Sequence, residues 1–369
     1  MKSYFSQTGI LKSSLLAILC IFSAISPLLA NEKQIVSPFD PGHLSARFAP
    51  VVDPTFTCPA PPAPPAELVF NSIYSDRQDG VSIVDPAAQE KYKKDTASLR
   101  RFESLISHWT SIYISNVDTA LPYAECATEW LYRWAQSEAL LGKANPQGQA
   151  VRKWTLASFS SSFIQMSEDD RLSSQQVRIV KAWLNLIAQN VRNEYSRQLE
   201  NRTRQNNHMY WAAWATMITS VLVEDTDMFN WSVDKLKFAI NQISDDGTLP
   251  FEMERMSKAF NYHVFAAGPL VMMAETAEKN GINIYEFRKG ALRNLVNRIL
   301  TELETDQAYI TQTLDRKQNI DGTLTPGQLA WMEPYYARFN EPRMKKWLDE
   351  FRPMIQRRLG GNLSQYFAE

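Results

Sequence analysis

The stretch Asn206-Asn207-His208 places an imidazole at the head of a strongly apolar segment. Histidine is the side chain whose ordinary pKa lies nearest to neutral pH, so it can donate or accept a proton there. The asparagine amides could donate hydrogen bonds to an anion. The same pattern also has a purely structural interpretation, because asparagine is a favoured residue at the start of a helix. Both interpretations stay open from this motif alone.

A second stretch, residues 252–263, contains Arg255, Lys258 and Tyr262. If it is helical, their spacing of three and four positions puts them on one face, with about 10 Å of helix axis between the ends. That face would offer two cations and a phenol, which suits an anionic substrate and a proton transfer. A solvated stripe of a surface helix would show the same spacing.

The elements that must position these residues are predicted to be helices. From Ala87 onward the apolar residues recur at intervals of three and four. The predicted segments include Ser174 to Gln198, Asn207 to Val223 and Leu249 to Asn280, separated by turn signals such as Asp245-Asp246-Gly247. Long helices with short connections pack as antiparallel hairpins, in a bundle or in a barrel of helix pairs.

The N-terminus has the layout of a secretory signal peptide over residues 1–30: Lys2 and Lys12, an apolar run from Leu15 to Leu29, and then Ala30. We therefore expect an exported, periplasmic protein with no membrane anchor once the signal is removed. Export to an oxidising compartment also bears on the cysteines, because removal of the signal takes Cys20 with it.

The two cysteines that remain, Cys58 and Cys126, are predicted to form a disulfide. A proline-rich tract follows Cys58 directly. We expect an irregular N-terminal arm over residues 31–66 and a single helical domain over residues 67–369.

Several classes of function are disfavoured by composition. The four histidines lie at positions 43, 108, 208 and 263 and have no metal-ligand spacing. The sequence has 13 glycines in 369 residues and no glycine-rich phosphate loop or Gly-x-Ser-x-Gly turn. The formal net charge is −1, without the basic excess typical of nucleic-acid binding. We therefore expect no cofactor, no metal and no nucleic-acid partner, and a monomer.

The stretch from Asn206 to Trp214 resembles the signature of the alginate lyases of polysaccharide lyase family 5, the periplasmic poly(β-D-mannuronate) lyases. The resemblance runs in family order from about Cys58 to Gly361. It includes these further stretches: Cys58-Pro59-Ala60-Pro61-Pro62, Leu68-Val69-Phe70, Ser72-Ile73-Tyr74-Ser75-Asp76, Arg152-Lys153-Trp154, Leu249-Pro250, Trp331-Met332-Glu333-Pro334-Tyr335 and Arg358-Leu359-Gly360-Gly361.

The resemblance implies an all-α (α/α) toroid, an incomplete barrel of helix hairpins with a deep cleft and a lid around Tyr74. It implies a catalytic set at four positions: Asn207, His208, Arg255 and Tyr262. Positions expected to bind an acidic polysaccharide, to which we add a lysine from the cationic face, are Tyr74, Trp154, Trp211, Lys258 and Arg358. The sequence departs from the family pattern at Ile73, where the family usually has lysine, and the following loop is shorter.

These residue types suit β-elimination at a uronate, in which loss of the C5 proton adds charge to a carboxylate. Asn207 and Arg255 could neutralise that charge. Tyr262 could take the proton and return it to the leaving O4, and we expect nearby Arg255 to lower the pKa of the phenol. His208 could help to neutralise the carboxylate or act as a second base. Neither water nor metal enters the bond cleavage, so activity should survive excess chelator.

Three alternatives remain at this stage. The substrate could be another polyuronate, such as polyglucuronate, because of the change at Ile73. The protein could bind polysaccharide without cleaving it. A glycoside hydrolase would need two carboxylic acids across the cleft, and candidates for that pair are Glu252, Glu254 and Glu333.

Overall fold

The computed structural model describes residues 34–74, 84–196 and 205–368. The segment from Ile35 onward forms one compact unit. The predicted signal peptide and residues 75–83, which hold much of the predicted lid, lie outside the described residues. Among the described residues, no helix combines the length and the apolar character needed to span a bilayer.

The all-α prediction is confirmed. The described residues contain fifteen α-helices and one antiparallel pair of short strands. The strands are β1 (Ile355–Gln356) and β2 (Gly361–Asn362). The helices are α1 Pro86–Asp95, α2 Ala97–Ser115, α3 Leu121–Gln136, α4 Pro146–Phe163, α5 Ser174–Ser196, α6 Asn207–Val223, α7 Thr226–Asn241, α8 Pro250–Met253, α9 Ala259–Lys279, α10 Ala291–Glu304, α11 Ala308–Leu314, α12 Pro326–Leu329, α13 Met332–Phe339, α14 Lys345–Phe351 and α15 Leu363–Phe367.

Helix α6 lies at the centre of the fold and packs against α4, α5, α7 and α9. Every residue from Met209 to Leu222 is buried, as expected for a helix that is apolar on all sides. The side chain of Asn206 accepts a hydrogen bond from the backbone of His208 and caps the helix. The capping interpretation of Asn206 is therefore correct, and the cap sets the position of the two residues that follow it.

The prediction of one long helix from Leu249 to Asn280 is wrong, because the structure divides this segment. The short α8 is followed by a 3-10 turn at residues 256–258 and then by α9. Met256 has a φ of 53°, in the left-handed region that ends a right-handed helix. Arg255, Lys258 and Tyr262 therefore do not share one helical face.

The break between α8 and α9 is stabilised by a distant loop. This loop forms hydrogen bonds with the backbone groups that a continuous helix would have paired internally. The Gln318 side chain donates to the Met256 carbonyl at 3.1 Å and accepts from the Phe260 N–H at 3.0 Å. The backbone N–H of Asn319 donates to the Ser257 carbonyl at 2.6 Å. Satisfied peptide groups remove the main penalty for interrupting a helix.

The predicted disulfide between Cys58 and Cys126 is present, with 5.4 Å between the two Cα atoms. It joins the proline-rich arm to α3. Two buried indoles of α3 strengthen the attachment, since Trp130 and Trp134 donate to the carbonyls of Pro59 and Pro62, each at 2.8 Å. These tryptophans therefore pack in the core.

Candidate active site

Tyr262 lies in the first turn of α9, mostly buried, with two close partners. Its hydroxyl is 2.8 Å from the hydroxyl of Tyr74, from the N-terminal part of the chain. The guanidinium carbon of Arg255 is 4.7 Å from the centre of the Tyr262 ring. Lys258 approaches the Tyr74 ring, with Nζ at 5.4 Å from its centre. The break between α8 and α9 thus turns both cations towards the two phenols.

The pKa of Tyr262 is raised, not lowered as expected from the sequence. Burial is the largest cause, and the neighbouring phenol of Tyr74 adds to it, while the charge of Arg255 opposes both. The expected effect of Arg255 is therefore present but smaller than the desolvation of the phenolate. Tyr262 carries its proton at neutral pH in this arrangement.

Asn207, the first residue of α6, is held by the buried carboxylate of Glu252. Its backbone N–H donates to Oε1 at 2.8 Å, and Nδ2 lies 3.1 and 3.0 Å from the two oxygens. Arg255 Nε is 3.9 Å from Oε2 of the same carboxylate. Both contacts are made by Nδ2, and Asn207 is only 1% exposed, so the amide is held against Glu252 at the buried end of the site.

Burial also changes the acidity of Glu252. Desolvation raises its pKa to about 7, although Arg255 and the hydrogen bonds from Asn207 favour the ionised form. The carboxyl group is fully buried. Its charge therefore changes close to neutral pH, next to both residues predicted to neutralise a substrate carboxylate.

His208 contacts a lysine that was not among the predicted site residues. Lys153, on α4, has no exposed surface, and its Nζ lies 2.8 Å from His208 Nδ1. The same ammonium donates to the Tyr195 hydroxyl of α5 at 2.6 Å. Three helices, α4, α5 and α6, therefore meet at one buried cation beside the imidazole.

Trp154 forms a wall next to His208, with 5.9 Å between ring centres. The guanidinium of Arg358 lies 4.8 Å from the Trp154 ring and makes an ion pair of 3.7 Å with the buried Glu103. The 3-10 turn at residues 357–359, between β1 and β2, holds Arg358 there. Two of the predicted substrate-binding residues thus lie together beside the imidazole.

Phe265 connects this wall to the phenol. Its ring is 6.4 Å from the rings of both Trp154 and Tyr262, and 5.1 Å from that of Trp211. Trp211 itself is only 1% exposed, so its ring offers no face on which a sugar could stack. The structure places Trp211 behind the site, where it supports Phe265, and this differs from the substrate contact that was expected.

His263 joins the two segments that carry Arg255 and Tyr262. It is fully buried; its Nε2 accepts the Leu249 N–H at 2.8 Å, and Nδ1 donates to the Ala259 carbonyl at 2.7 Å. Burial lowers the pKa of His263 to about 4, so the ring is neutral at ordinary pH. A neutral imidazole provides one donor and one acceptor, which matches both partners.

Glu333, one of the three candidates for a hydrolase pair, is already engaged in an ion pair. Glu333 is buried and makes a two-pronged ion pair with Arg352, with both contacts at 2.8 Å, while Ser364 donates to the same carboxylate. This carboxylate is therefore engaged in holding the C-terminal segment. Within the described parts of the chain, no group of three or more histidine, cysteine, aspartate and glutamate side chains could hold a metal.

Sequence reasoning missed Lys153 as a member of the site and considered Glu252 only as one of three candidate acids of a glycoside hydrolase. Each has a signal in the sequence. Lys153 is a charged residue in a stretch of α4 that is otherwise buried on several sides. Glu252 stands three residues before Arg255, a spacing that allows an ion pair on a helical turn. Neither signal identifies the partner, because Asn207 and His208 come from a distant helix.

Comparison with known proteins identifies the family of this chain. The family model described as alginate lyase matches residues 70–309. An alginate lyase from Pseudomonas syringae pv. tomato is 32% identical over 323 residues, which is 85% of this chain and 84% of the relative. An alginate lyase from Cobetia marina is 29% identical over 352 residues, covering 92% of each chain.

Solved structures show the same fold. The crystal structure of alginate lyase A1-III from Sphingomonas species A1 matches with a TM-score of 0.77 and 24% identity, over 90% of this chain and 95% of that one. A variant of that lyase complexed with a tetrasaccharide gives a TM-score of 0.79 and 23% identity, over 92% and 98%. The match confirms the predicted (α/α) toroid. Because the family model covers residues 70–309, more than half of the chain, and the Pseudomonas syringae pv. tomato relative is 32% identical over 85% of it, the chain belongs to the alginate lyase family.

Proposed function

We propose that this protein cleaves β-1,4-linked mannuronate in alginate by β-elimination and leaves a 4,5-unsaturated uronate at the new end. The observation that carries the proposal is the convergence of a phenol, a guanidinium and an anchored amide. Tyr262 contacts Arg255, and Arg255 and Asn207 both contact Glu252. A uronate carboxylate placed between the amide and the guanidinium would bring its C5 hydrogen to the phenol.

The reaction needs charge stabilisation before proton removal. In the proposed complex, Arg255 and the amide of Asn207 bind the carboxylate and stabilise the enolate-like transition state more than the ground state. The phenolate of Tyr262 takes the C5 proton, and the electron pair forms the C4–C5 double bond as the C4–O4 bond breaks. The phenol then gives its proton to O4, which regenerates the phenolate. In mannuronate both atoms lie on one face of the ring, so one group can serve both steps.

Proton release from Tyr262 must precede the first step. Burial keeps the phenol protonated in the resting enzyme. The ring contact with Arg255 is the described interaction that favours the phenolate. The active form is therefore a minor population at neutral pH, and its share grows with pH.

The remaining expectations from the sequence are part of the same proposal. The enzyme is exported through its N-terminal signal peptide and acts in the periplasm as a monomer. Trp154, Arg358, Lys258 and Tyr74 bind the polymer around the reacting residue. The elimination uses no metal or organic cofactor, so excess chelator should leave the rate unchanged.

A second candidate substrate, another polyuronate such as polyglucuronate, rests on Ile73. The family usually has lysine here, beside the tyrosine that contacts Tyr262. In this chain the position is apolar, and its carbonyl accepts the Asp85 N–H at 2.9 Å. Loss of one cation at this point would weaken a carboxylate contact and change the preference among polyuronates.

The experiment is a panel of polymannuronate, polyguluronate and polyglucuronate, with the ultraviolet absorbance of the conjugated uronate as readout. We expect the highest kcat/KM on polymannuronate and loss of the signal in Tyr262→Phe. A higher value on polyglucuronate would establish the second substrate. Binding of polymer without any absorbance change in the wild type would contradict cleavage altogether.

A further inference from the structure

We propose that Lys153 positions His208: it fixes the imidazole as the Nε2–H tautomer, so that the ring donates a hydrogen bond towards the substrate and does not act as a base. The contact that carries the inference is the 2.8 Å separation of Lys153 Nζ and His208 Nδ1. The sequence left two roles open for His208, and this contact distinguishes them.

The argument begins with the chemistry of an ammonium group. A protonated lysine has three N–H donors and no lone pair. An imidazole nitrogen at hydrogen-bonding distance from it must therefore be the acceptor. A hydrogen on Nδ1 would face an N–H of Lys153 directly, with no acceptor between them. The neutral ring then carries its hydrogen on Nε2.

The surroundings of Lys153 provide partners for an ammonium group. The ammonium donates to the Tyr195 hydroxyl at 2.6 Å. Its Nζ lies 4.8 Å from the ring centre of Trp154 and 4.8 Å from that of Tyr195. Cation–π attraction is strongest when the cation is desolvated, as it is for a lysine with no exposed surface. The same positive charge also disfavours an imidazolium next to it.

The orientation of the ring fixes what the substrate meets. Lys153 is fully buried, whereas His208 is partly exposed. Nδ1 faces the buried lysine, and we infer that the exposed part of the ring is the side that carries Nε2. A neutral N–H donor there can bind a carboxylate or hydroxyl oxygen, but it has no lone pair with which to remove a proton.

This assignment deepens the proposed function and, for its kinetic part, rests on it. With His208 a donor, proton removal falls to Tyr262. Uronate residues whose C5 hydrogen points to the other ring face would then have no base opposite them. We therefore expect slow cleavage at uronates whose C5 hydrogen lies on the opposite ring face. We also expect this selectivity to depend on Lys153.

The direct test is nitrogen NMR of the full-length protein with ¹⁵N-labelled histidine, which reports the tautomer and requires no activity. His208→Gln identifies the signals of His208. His263 is an internal reference of the opposite tautomer, because its Nε2 accepts and its Nδ1 donates. We expect an unprotonated Nδ1 and a protonated Nε2 for His208 in the wild type. A hydrogen on Nδ1, or a doubly protonated ring at neutral pH, overturns the proposal.

The variants Lys153→Met and Lys153→Arg test the cause. Methionine removes the charge and the donor at similar volume, and we expect a mixture of tautomers in His208. Arginine keeps charge and donors, and we expect it to restore the wild-type tautomer. An unchanged tautomer in Lys153→Met would show that the lysine does not set it. Should Lys153→Met fail to fold, the wild-type spectrum still identifies the tautomer of His208. The variant Lys153→Arg then still tests whether a cation at position 153 is enough to maintain that tautomer.

Kinetics then separate this proposal from the proposed function. For Lys153→Met we expect kcat on polymannuronate to fall about tenfold, which corresponds to about 1.4 kcal/mol, with KM nearly unchanged. Lys153→Arg should recover most of the rate. If the spectrum shows the expected tautomer but the wild type cleaves no polyuronate, the positioning stands and the proposed function fails. If the wild type cleaves polymannuronate but the spectrum shows a different tautomer, the proposed function stands and only the positioning role of Lys153 is refuted.

Discussion

The carboxylate of Glu252 binds Asn207 twice, through the backbone N–H at 2.8 Å and through the side-chain amide at 3.0 and 3.1 Å. A single buried acid therefore holds both the first backbone N–H of α6 and the side-chain amide that is predicted to meet the substrate. Because Glu252 also lies 3.9 Å from Arg255, it spaces the two groups that neutralise a uronate carboxylate.

The substitution Glu252→Gln should lower activity through this spacing. Glutamine has one acceptor oxygen, so it cannot hold the backbone and the amide of Asn207 as the carboxylate does. We expect kcat/KM on polymannuronate to fall at least about tenfold, a loss of about 1.4 kcal/mol of transition-state stabilisation. Steady-state assays measure this, with the exposed Glu304→Gln as control. Wild-type kinetics in Glu252→Gln would remove Glu252 from the site.

The raised pKa of Glu252 also predicts a pH dependence of stability, which the same variant can test. Burial raises the pKa of Glu252 to about 7 from 4.5, so the folded protein binds a proton that the unfolded chain has released between these values. Its contribution is complete below about pH 4.5 and is lost as the pH rises through 7, amounting to at most about 3 kcal/mol. Glutamine does not titrate. The melting temperature of Glu252→Gln relative to wild type should therefore rise from pH 5 to pH 8, and a constant difference would contradict the assignment.

Tyr262→Phe should abolish turnover while leaving binding nearly intact. Loss of a proton-transfer group costs about 10²–10⁴-fold in rate, whereas the ring contact with Arg255 is kept. Tyr210→Phe is the matched control, because it also removes a buried hydroxyl, one that bonds Gln242 at 2.7 Å. Equal losses of kcat in the two variants would point to a general packing defect and away from catalysis by Tyr262.

Activity should increase towards alkaline pH. The raised pKa of Tyr262 means that the phenolate fraction grows about tenfold per pH unit below that value. Arg255→Gln removes the charge that favours the phenolate and should move the rise of kcat/KM to higher pH, besides lowering it. A pH–rate profile that is flat above neutrality would argue against a phenolate base.

Tyr74→Phe should shift the same profile in the opposite direction. The Tyr74 hydroxyl, 2.8 Å from that of Tyr262, contributes to the raised pKa of the latter. Its removal should move the alkaline rise to lower pH by a measurable fraction of a unit. A shift to higher pH would mean that Tyr74 donates its hydrogen bond to the phenolate and stabilises it.

The disulfide should matter for stability and not for chemistry. Cys58 and Cys126 are 68 positions apart, and closing a loop of that size restricts the unfolded chain by about 4 kcal/mol. The double variant Cys58→Ser/Cys126→Ser should melt several degrees lower and keep its kcat well below the transition. A large loss of kcat at low temperature would instead link the arm to the site.

Sequence patterns predicted the helices well where burial decides the structure. Helix α6 is apolar on every side, and its predicted bounds agree with those observed. The prediction was wrong between Leu249 and Asn280, where the local pattern is helical but Gln318 and Asn319 bond the backbone at the break. These partners lie some sixty positions away along the chain, and no periodicity in the broken segment reports them.

The same distinction applies to the site, where the residue types were predictable from the sequence and the protonation states were not. The resemblance identified the residue types at Asn207, His208, Arg255 and Tyr262, and the fold brings the first, third and fourth together around Glu252 and Tyr74. Their protonation states could not be predicted, since they depend on desolvation. Arg255 was expected to lower the pKa of Tyr262, and burial outweighs it. Likewise, Lys153 becomes relevant only when α4 meets α6.

His263 sets a separate lower pH limit for the stability of the site. The pKa of this buried ring is lowered to about 4 from 6.5, so its stabilising effect is full above about pH 6.5 and vanishes as the pH falls through 4. A proton on Nε2 would end the bond from Leu249, and with it the link between the segment of Arg255 and the helix of Tyr262. Acidification would thus disconnect the guanidinium from the phenol at a single nitrogen atom, by a route separate from titration of the reacting groups themselves.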